Sequence, residues 1–131
     1  MEIEVTARKM KGRKGELKVS GIVEEEEFSM NNKKIKRKST AFSSIQNVLT
    51  ALNNIYNLKC DEHINIPGGI PVDGPSAGIA IATAIYSAIL NKPVNNKIAM
   101  TGEISLLGMV GVIGGVNAKI LAAKSAGANK V

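Results

Sequence analysis

The sequence predicts one α+β domain over residues 1–131, built as a mixed sheet with an N-terminal β-hairpin and three helices. A chain of 131 residues is long enough to bury one core and short for two. Apolar residues make up 44% of the chain and aromatic residues only 3%, so aliphatic and small side chains must form the core. Segments with strand-like alternation and segments with helical spacing of apolar residues follow one another along the chain, which predicts the mixed α and β order.

Charge and cysteine content exclude several classes of protein. The formal charge is +6, and the first 40 residues hold 11 of the 17 basic side chains. The single cysteine, Cys60, excludes an internal disulfide framework and agrees with a reducing compartment, where we expect a half-buried spectator thiol. The N-terminus lacks a secretory signal, and the longest apolar run, residues 77–90, is too short to span a bilayer. We therefore expect a soluble, cytoplasmic protein without a membrane partner.

The N-terminal segments predict strands. Residues 2–7 and 16–23 alternate polar and apolar side chains, and residues 13–15 form a polar turn between them, which predicts a hairpin. Residues 24–38 carry four glutamates, two asparagines and the basic run KKIKRK, with almost nothing to bury. This second segment is predicted to be an exposed loop or hairpin tip.

The first helix is predicted to begin at Ser39 or Thr40, since either is a suitable N-cap. Apolar residues then recur at helical spacing, at Ile45, Val48, Leu49, Leu52, Ile55 and Tyr56. Residues 62–66 read as a strand, and residues 67–75 are too rich in Gly and Pro for a helix or a regular strand. The chain is expected to form a shaped loop there.

A central helix is predicted over residues 76–90, because apolar residues occupy every side of its wheel and Pro75 suits its first turn. Residues 97–100 and 103–112 are strand candidates, and a last helix is predicted from about Val116 to Ser125. A final strand is expected to begin near Lys130.

Ser76 is the candidate nucleophile. It stands at the start of a buried helix directly after a turn rich in Gly and Pro, where main-chain N–H groups have no intrahelical partner and the helix dipole favours negative charge. The N–H groups of Gly74 and Ser76 are the candidate donors to a developing oxyanion. The alternative is that Ser76 only caps a helix, and spacing alone does not decide between the two.

Lys119 is the candidate base. On a helical wheel it is flanked by Val116, Ala122 and Ala123, and burial among such residues lowers a lysine pKa, so that a neutral amine can take the proton of a serine hydroxyl. The alternative is a lysine whose ammonium reaches solvent at the domain edge. The only histidine, His63, falls in a strand and is expected to be structural, which leaves no Ser-His-Asp triad.

Two further residues are candidate supports. Thr101 ends a predicted strand, and its hydroxyl is placed to hold the lysine amine by a hydrogen bond, although an ordinary strand-end threonine fits as well. Asp73 could orient the loop or pair with a cation, although turn aspartates commonly bond their own backbone.

Two motifs resemble the signatures of the Lon protease family. Residues 71–78, PVDGPSAG, resemble its nucleophile motif. Residues 100–105, MTGEIS, followed by IGGV at 113–116 and by Lys119, are similar to its second signature, 43 residues separating Ser76 from Lys119. The resemblance covers nearly the whole chain.

Three shorter segments resemble the B-type branch of that family most closely. They are the acidic residues 23–27, the sequence KSTA at residues 38–41 and GGI at residues 68–70.

The resemblance implies a Lon proteolytic fold of the ribosomal protein S5 domain 2-like type. It implies a dyad in which Ser76 is acylated and Lys119 acts as general base and then as general acid, with Thr101 and Asp73 in support. It further implies ATP-driven degradation of unfolded or damaged proteins by a hexameric ring in which a separate AAA+ module unfolds the substrate. This chain has no Gly-x-x-x-x-Gly-Lys-Ser/Thr loop, so ATP and Mg are expected only at that module and no cofactor on this chain.

Two departures from the family pattern affect these expectations. Leu107 and Met109 stand where the family usually carries basic residues, and residues 111–112, Gly-Val, stand where a Pro often follows a longer side chain. Ring contacts or substrate access are expected to differ there. The family also continues with more strand and helix beyond Val131, so we expect the C-terminal part of the fold to be absent.

Two other classes of function compete with the peptidase. A small-molecule kinase also opens a helix with a Gly- and Ser-rich loop, but Asp73 would repel phosphate and Lys119 would be unexplained. A non-catalytic Lon-like interaction module, or a nucleic-acid binder using the basic run at residues 33–38, is the second. That run adjoins four glutamates and lacks interleaved aromatic residues, which argues against nucleic acid.

Overall fold

The computed structural model describes residues 3–9, 15–22, 25–57, 60–67 and 74–131. These residues form an α+β structure with a small mixed sheet and three α-helices, as predicted. Its elements are β1 Glu4–Lys9, β2 Leu17–Ser20, β3 Glu25–Met30, β4 Lys33–Lys38, α1 Thr40–Tyr56, β5 Cys60–Asn65, the 3₁₀ turn Pro75–Ala77, α2 Gly78–Leu90, β6 Glu103–Ile104, β7 Val110–Gly111 and α3 Val116–Ser125. No helix in the described ranges is both long and apolar enough to cross a membrane.

The main sheet has the strand order β1-β5-β2, so the predicted hairpin between the two N-terminal strands is wrong. β5 lies between them, antiparallel to β1 and parallel to β2, and Ile64 is opposite both Val5 and Val19. The physical reason is burial. Cys60 and Ile64 are buried, and pairing on both edges of β5 keeps this strand from becoming an exposed edge, which a β1-β2 hairpin would have made it.

The strands β3 and β4 form a separate two-stranded hairpin, which confirms the prediction for residues 25–38. Its turn residues, Asn31 and Asn32, have φ angles of 50° and 61°, as the favoured two-residue hairpin turns require. Acidic residues of β3 stand opposite basic residues of β4. One such pair, Glu27 and Lys36, lies 3.4 Å apart with both side chains exposed, so it adds little to stability.

Helix α1 is capped by Ser39, which decides between the two predicted caps. Its side chain accepts a hydrogen bond from the main-chain N–H of Phe42 at 3.1 Å. The helix buries a face made of Ala41, Ser44, Ile45, Val48 and Ala51. Ile55 and Tyr56 were predicted on that face but are exposed. The ring of Tyr56 packs instead against that of Tyr86 on α2, with centroids 4.8 Å apart.

Helix α2 is the central element of the core. It packs on α1, β1 and β6, and no residue from Gly78 to Ile89 is exposed. Only Gly78, Ile81 and Ile85 are fully buried. The helix is therefore covered on all sides as predicted, but most of its residues are only partly buried. The core that it shares with the sheet and α1 is aliphatic, as composition predicted.

The C-terminal strands are shorter than predicted. Residues 103–112 double back as β6 and β7 rather than forming one strand, because Ser105 N–H donates to the carbonyl of Met109 and the Met109 N–H donates to Ser105 Oγ. Residues 97–100 contribute only a parallel bridge between Ile98 and Lys130. At the final strand expected near Lys130, the described structure has only this bridge, whereas α3 begins and ends as predicted.

Glu62 places a carboxyl group on the face of β5 that the helices cover. Its neighbours on that face, Cys60 and Ile64, are buried. Burial raises the pKa of Glu62 from 4.5 to about 7, and the charge of Asp61 adds to the rise. Because the folded-state pKa lies above the unfolded one, the folded chain binds the additional proton in this window, and stability falls as the pH rises through it.

As the pH rises from about 5 to about 8, ionisation of Glu62 should lower the free energy of unfolding by about 1 kcal/mol. The effect is smaller than the pKa shift alone would give, because solvent screens this half-buried charge. The isosteric Glu62→Gln variant should lose that part of the pH slope and be more stable than wild type at about pH 8. Urea denaturation at both pH values measures the effect, with the exposed Glu16→Gln as control. A Glu62→Gln variant with the wild-type slope would contradict this account.

Candidate active site

Ser76 lies in the 3₁₀ turn that leads into α2. The turn is preceded by Gly74 with φ 103° and ψ 149°, a conformation that only glycine adopts readily. Pro75 follows at the first helical position, where its lack of an N–H costs no hydrogen bond. The chain therefore enters the helix through a sharp turn that presents a half-buried serine.

Hydrogen bonds from two directions fix the main chain of the serine. The Gly102 N–H donates to the carbonyl of Ser76 at 2.8 Å, and the Thr101 hydroxyl donates to the same carbonyl at 3.2 Å. From α1, the Ser44 hydroxyl donates to the carbonyl of Pro75 at 3.2 Å. The structure thus places the Thr101 hydroxyl on the backbone of Ser76, whereas the sequence suggested that it would hold the lysine.

The start of α2 approaches the segment before β6 closely enough to require glycine. A Cβ atom on Gly78 would lie 2.8 Å from the main-chain nitrogen of Ile104 and 3.2 Å from the carbonyl oxygen of Gly102. One residue further on, the Ile79 N–H donates to that same carbonyl at 3.0 Å. Gly78 therefore allows the contact that anchors the serine.

Lys119 lies in the first turn of α3, where its N–H donates to the carbonyl of Gly115 at 3.1 Å. The residue is half-buried. Of the three residues predicted to flank it, Val116 and Ala122 are exposed and Ala123 is half-buried. Helix α3 makes no extensive contact with another described helix or strand. Much of its surface is therefore exposed to solvent.

The side chains of the proposed dyad are not hydrogen-bonded to each other. Neither Ser76 Oγ nor Lys119 Nζ makes a hydrogen bond or ion pair within the described part of the chain. Catalytic hydrogen bonds are often long without substrate and tighten when it binds. The structure therefore brings Thr101 to Ser76, and the pairing of Ser76 with Lys119 stays a prediction.

The remaining candidates divide between the described and undescribed residues. Asp73 lies outside the described residues. Gly74 and Ser76 stand at the first positions of the helical segment, where main-chain N–H groups lack intrahelical acceptors, as the oxyanion prediction needs. His63 is exposed on β5, with Nε2 3.3 Å from Ser20 Oγ, and Cys60 is buried rather than half-buried.

Sequence reasoning missed Ser44, which links α1 to the turn of the nucleophile. A signal for it was present, because Ser44 lies among the apolar residues of the buried face of α1. A buried hydroxyl on such a face needs a hydrogen-bond partner, and here the partner is the carbonyl next to Ser76. Among the described residues, no group of three His, Cys, Asp or Glu side chains is arranged to hold a metal ion.

A sharp turn presents a serine at a helix start, a lysine lies on a later helix, and the only histidine is exposed on strand β5 beside Ser20. This arrangement suits a serine hydrolase without a histidine base. The family model described as the Lon protease (S16) C-terminal proteolytic domain matches residues 1–131. The chain therefore belongs to the Lon protease proteolytic-domain family.

Curated relatives agree with this assignment. Lon protease 2 of Bacillus subtilis is 53% identical over 133 residues, which cover 100% of this chain and 24% of that protein. The Lon protease of Dictyoglomus thermophilum is 50% identical over 95 residues, or 70% of this chain and 12% of that protein. The Lon protease of Lachnoclostridium phytofermentans is 58% identical over 77 residues, which cover 58% of this chain and 10% of that protein. The chain thus spans a quarter or less of these relatives.

Proposed function

We propose that this chain is a serine endopeptidase domain that hydrolyses peptide bonds with Ser76 as nucleophile and Lys119 as general base. The observation that carries the proposal is the match of the whole chain to the proteolytic-domain family. The anchored main chain of Ser76 at the start of α2 supports it, because a nucleophile must be held still relative to the carbonyl that it attacks.

In the proposed reaction, the amine of Lys119 takes the proton of the Ser76 hydroxyl as Oγ attacks the peptide carbonyl. The resulting oxyanion is stabilised by main-chain N–H groups at the turn, with Gly74 and Ser76 as the donors. The C–N bond then breaks, and Lys119 returns its proton to the leaving amine. Water attacks the acyl-serine with Lys119 again as base, which releases the acid and restores Ser76.

The hydrogen bonds of the turn assign supporting roles. Thr101 donates to the Ser76 carbonyl, and its hydroxyl oxygen retains the lone pairs to accept a hydrogen bond from the Lys119 amine. In this proposal Thr101 positions both members of the dyad. Asp73, directly before the turn in sequence, would orient the loop.

For the longer protein, we propose the role that the family resemblance implies. Residues 1–131 would form one proteolytic domain of the ribosomal protein S5 domain 2-like type within a cytoplasmic, hexameric Lon-type protease. An attached AAA+ module would bind ATP and Mg and deliver unfolded or damaged proteins for quality control, while this domain needs no cofactor of its own. The B. subtilis relative, about four times longer than the matched segment, leaves room for such a module.

A non-catalytic interaction domain is the second candidate, favoured by one observation. Leu107 is 87% exposed and Val112 fully exposed, and Met109 between them is also exposed. Such a group of apolar side chains on a surface is typical of a binding site. A serine that fails to react as a nucleophile would favour this candidate.

Covalent capture of Ser76 by a fluorophosphonate tests the peptidase directly. The reagent forms an Oγ–P bond and expels fluoride only at an activated serine. We expect one phosphorus adduct, mapped to Ser76 by mass spectrometry, and loss of casein hydrolysis in proportion to the adduct, without ATP. The exposed Ser29 should stay unmodified. Capture at another serine, or hydrolysis that continues after complete capture, would contradict the proposal.

A further inference from the structure

Ser44 joins the buried face of α1 to the turn that presents the proposed nucleophile. The residue is 2% exposed, and its hydroxyl donates to the carbonyl of Pro75, 31 residues further along the chain, at 3.2 Å. Its neighbours on the same face, Ile45 and Val48, are fully buried. Because packed core side chains hold that face of the helix in place, the hydroxyl reaches the turn from a rigid support.

Three other hydroxyls in the described helices bond within their own helix. Ser43, Thr50 and Thr83 each donate to the carbonyl four residues earlier, at 2.9–3.0 Å. This local bond is a common way for a serine or threonine in a helix to satisfy its hydroxyl. Ser44 is adjacent to Ser43 on α1 but donates to another element. Satisfying a buried hydroxyl therefore does not by itself require the contact with the turn.

The carbonyl of Pro75 is held from two directions. The N–H of Gly78 donates to it from within the helical segment, and the Ser44 hydroxyl donates to it from α1. A carbonyl oxygen has two lone pairs, so these two donors match its capacity. The direction of this carbonyl is therefore fixed by both the turn and the helix beside it.

The peptide group between Pro75 and Ser76 carries this direction to the nucleophile. The peptide is trans, and in a planar trans peptide the C=O and the N–H point in opposite directions. Because the Pro75 carbonyl points to α1, the Ser76 N–H points away from α1. That N–H is one of the two proposed donors to the oxyanion. Ser44 thus acts on the direction of the donor through one rigid plane.

The other hydrogen bonds at the serine act on the next peptide plane. Thr101 and Gly102 donate to the carbonyl of Ser76, and this carbonyl shares its plane with the N–H of Ala77. The two planes that meet at the Cα of Ser76 rotate independently about φ and ψ. The segment at Gly102 therefore fixes the plane after the nucleophile, and Ser44 fixes the plane before it.

We propose that Ser44 is a positioning residue, which aims the Ser76 N–H at the developing oxyanion by holding the Pro75 carbonyl. The inference rests on the proposed peptidase function and adds to it a residue of α1. An oxyanion donor acts on the transition state far more than on the bound peptide. Loss of the Ser44 hydroxyl should therefore lower kcat and leave KM nearly unchanged.

The test compares Ser44→Ala with Ser43→Ala, which removes the same atom from the adjacent position of α1. We expect Ser44→Ala to lower kcat for a fluorogenic peptide about tenfold, with KM within about twofold of wild type, since the Gly74 N–H remains as a second donor. Ser43→Ala should keep kcat within about twofold of wild type, because the Ser43 hydroxyl bonds only a carbonyl at the start of its own helix.

A peptide aldehyde separates positioning from a loss of folded protein. In its adduct a bond forms between Ser76 Oγ and the aldehyde carbon, the serine proton passes to Lys119, and the aldehyde oxygen becomes an oxyanion. Ser44→Ala should bind the aldehyde about tenfold more weakly, in parallel with kcat. A smaller folded fraction would lower kcat but leave this dissociation constant unchanged. Unchanged aldehyde affinity, or a rise in KM in place of the fall in kcat, would overturn the proposal.

Amide hydrogen exchange, followed by NMR, measures the positioning without turnover. The N–H of Gly78 shares the Pro75 carbonyl with Ser44. Its exchange in Ser44→Ala should be at least about tenfold faster than in Ser43→Ala, because the turn opens locally. A wild-type chain that hydrolyses no peptide would contradict the proposed function, and exchange at Gly78 would still decide whether Ser44 holds the turn. Equal exchange in the two variants would overturn that role.

Discussion

Replacing Lys119 with methionine is expected to lower kcat for peptide hydrolysis by about 10³- to 10⁴-fold and to leave KM within about threefold. Methionine preserves most of the length and the apolar stem of lysine but has no amine. The Ser76 hydroxyl then has no base to take its proton, and the leaving amine has no acid, while the groups that bind the peptide are unchanged. Steady-state kinetics on a fluorogenic peptide gives both constants.

Lys124 provides the matched control for this substitution. It lies on the same helix α3, five residues further on, and is exposed. Lys124→Met removes the same charge from the same helix, so it should keep kcat within about twofold of wild type if charge alone has little effect. A Lys119→Met variant that retained a tenth or more of wild-type turnover would exclude Lys119 as the base and direct attention to another proton acceptor.

Replacing Gly78 with alanine is expected to destabilise the chain by about 2–3 kcal/mol and to reduce turnover as well. The new methyl group would lie 2.8 Å from the main-chain nitrogen of Ile104. Backbone atoms cannot rotate away as a side chain can, so α2 must move from the Gly102 segment. The hydrogen bonds from Ile79 to Gly102 and from Gly102 to Ser76 would lengthen, and the serine would lose its position.

Gly114→Ala separates this steric effect from a general effect of alanine. A Cβ atom on Gly114 meets no atom within 4 Å, and its φ is not in the left-handed region. The free energy of unfolding of this variant, measured in urea, should lie within about 0.5 kcal/mol of the wild-type value. If both alanine variants lose the same stability, the close approach at Gly78 is not the cause, and the contact between α2 and the Gly102 segment is softer than the distances indicate.

The helices could be read from the sequence because their signals are local. Ser39 caps α1 with a hydrogen bond three residues along the chain, and α3 begins and ends at the predicted residues. The errors came where local pattern had to predict a long-range partner. β1 and β2 alternate as hairpin strands do, but both pair with β5, which lies more than 40 residues further along the chain.

The site shows the same division. The position of Ser76 at the start of a helix followed from Pro75 and the neighbouring glycines, since proline fixes φ and glycine permits the positive φ of the turn. The acceptor of the Thr101 hydroxyl did not follow, because it is a carbonyl 25 residues earlier. A helical wheel likewise places Lys119 beside Val116 and Ala122, but it does not say whether another element covers them.

The sequence by itself therefore determined the class of the domain, the start of α1 to within one residue, the extent of α3, the turn at Ser76 and the family. Each of these depends on restrictions that a residue imposes on its own backbone, or on motifs whose order is fixed along the chain. Only the tertiary structure decided that β5 separates β1 from β2, that Thr101 holds the serine backbone, and that Glu62 lies between two buried residues of one face of β5. Those facts depend on which distant segments pack together, since burial and hydrogen bonding are properties of the assembled neighbours.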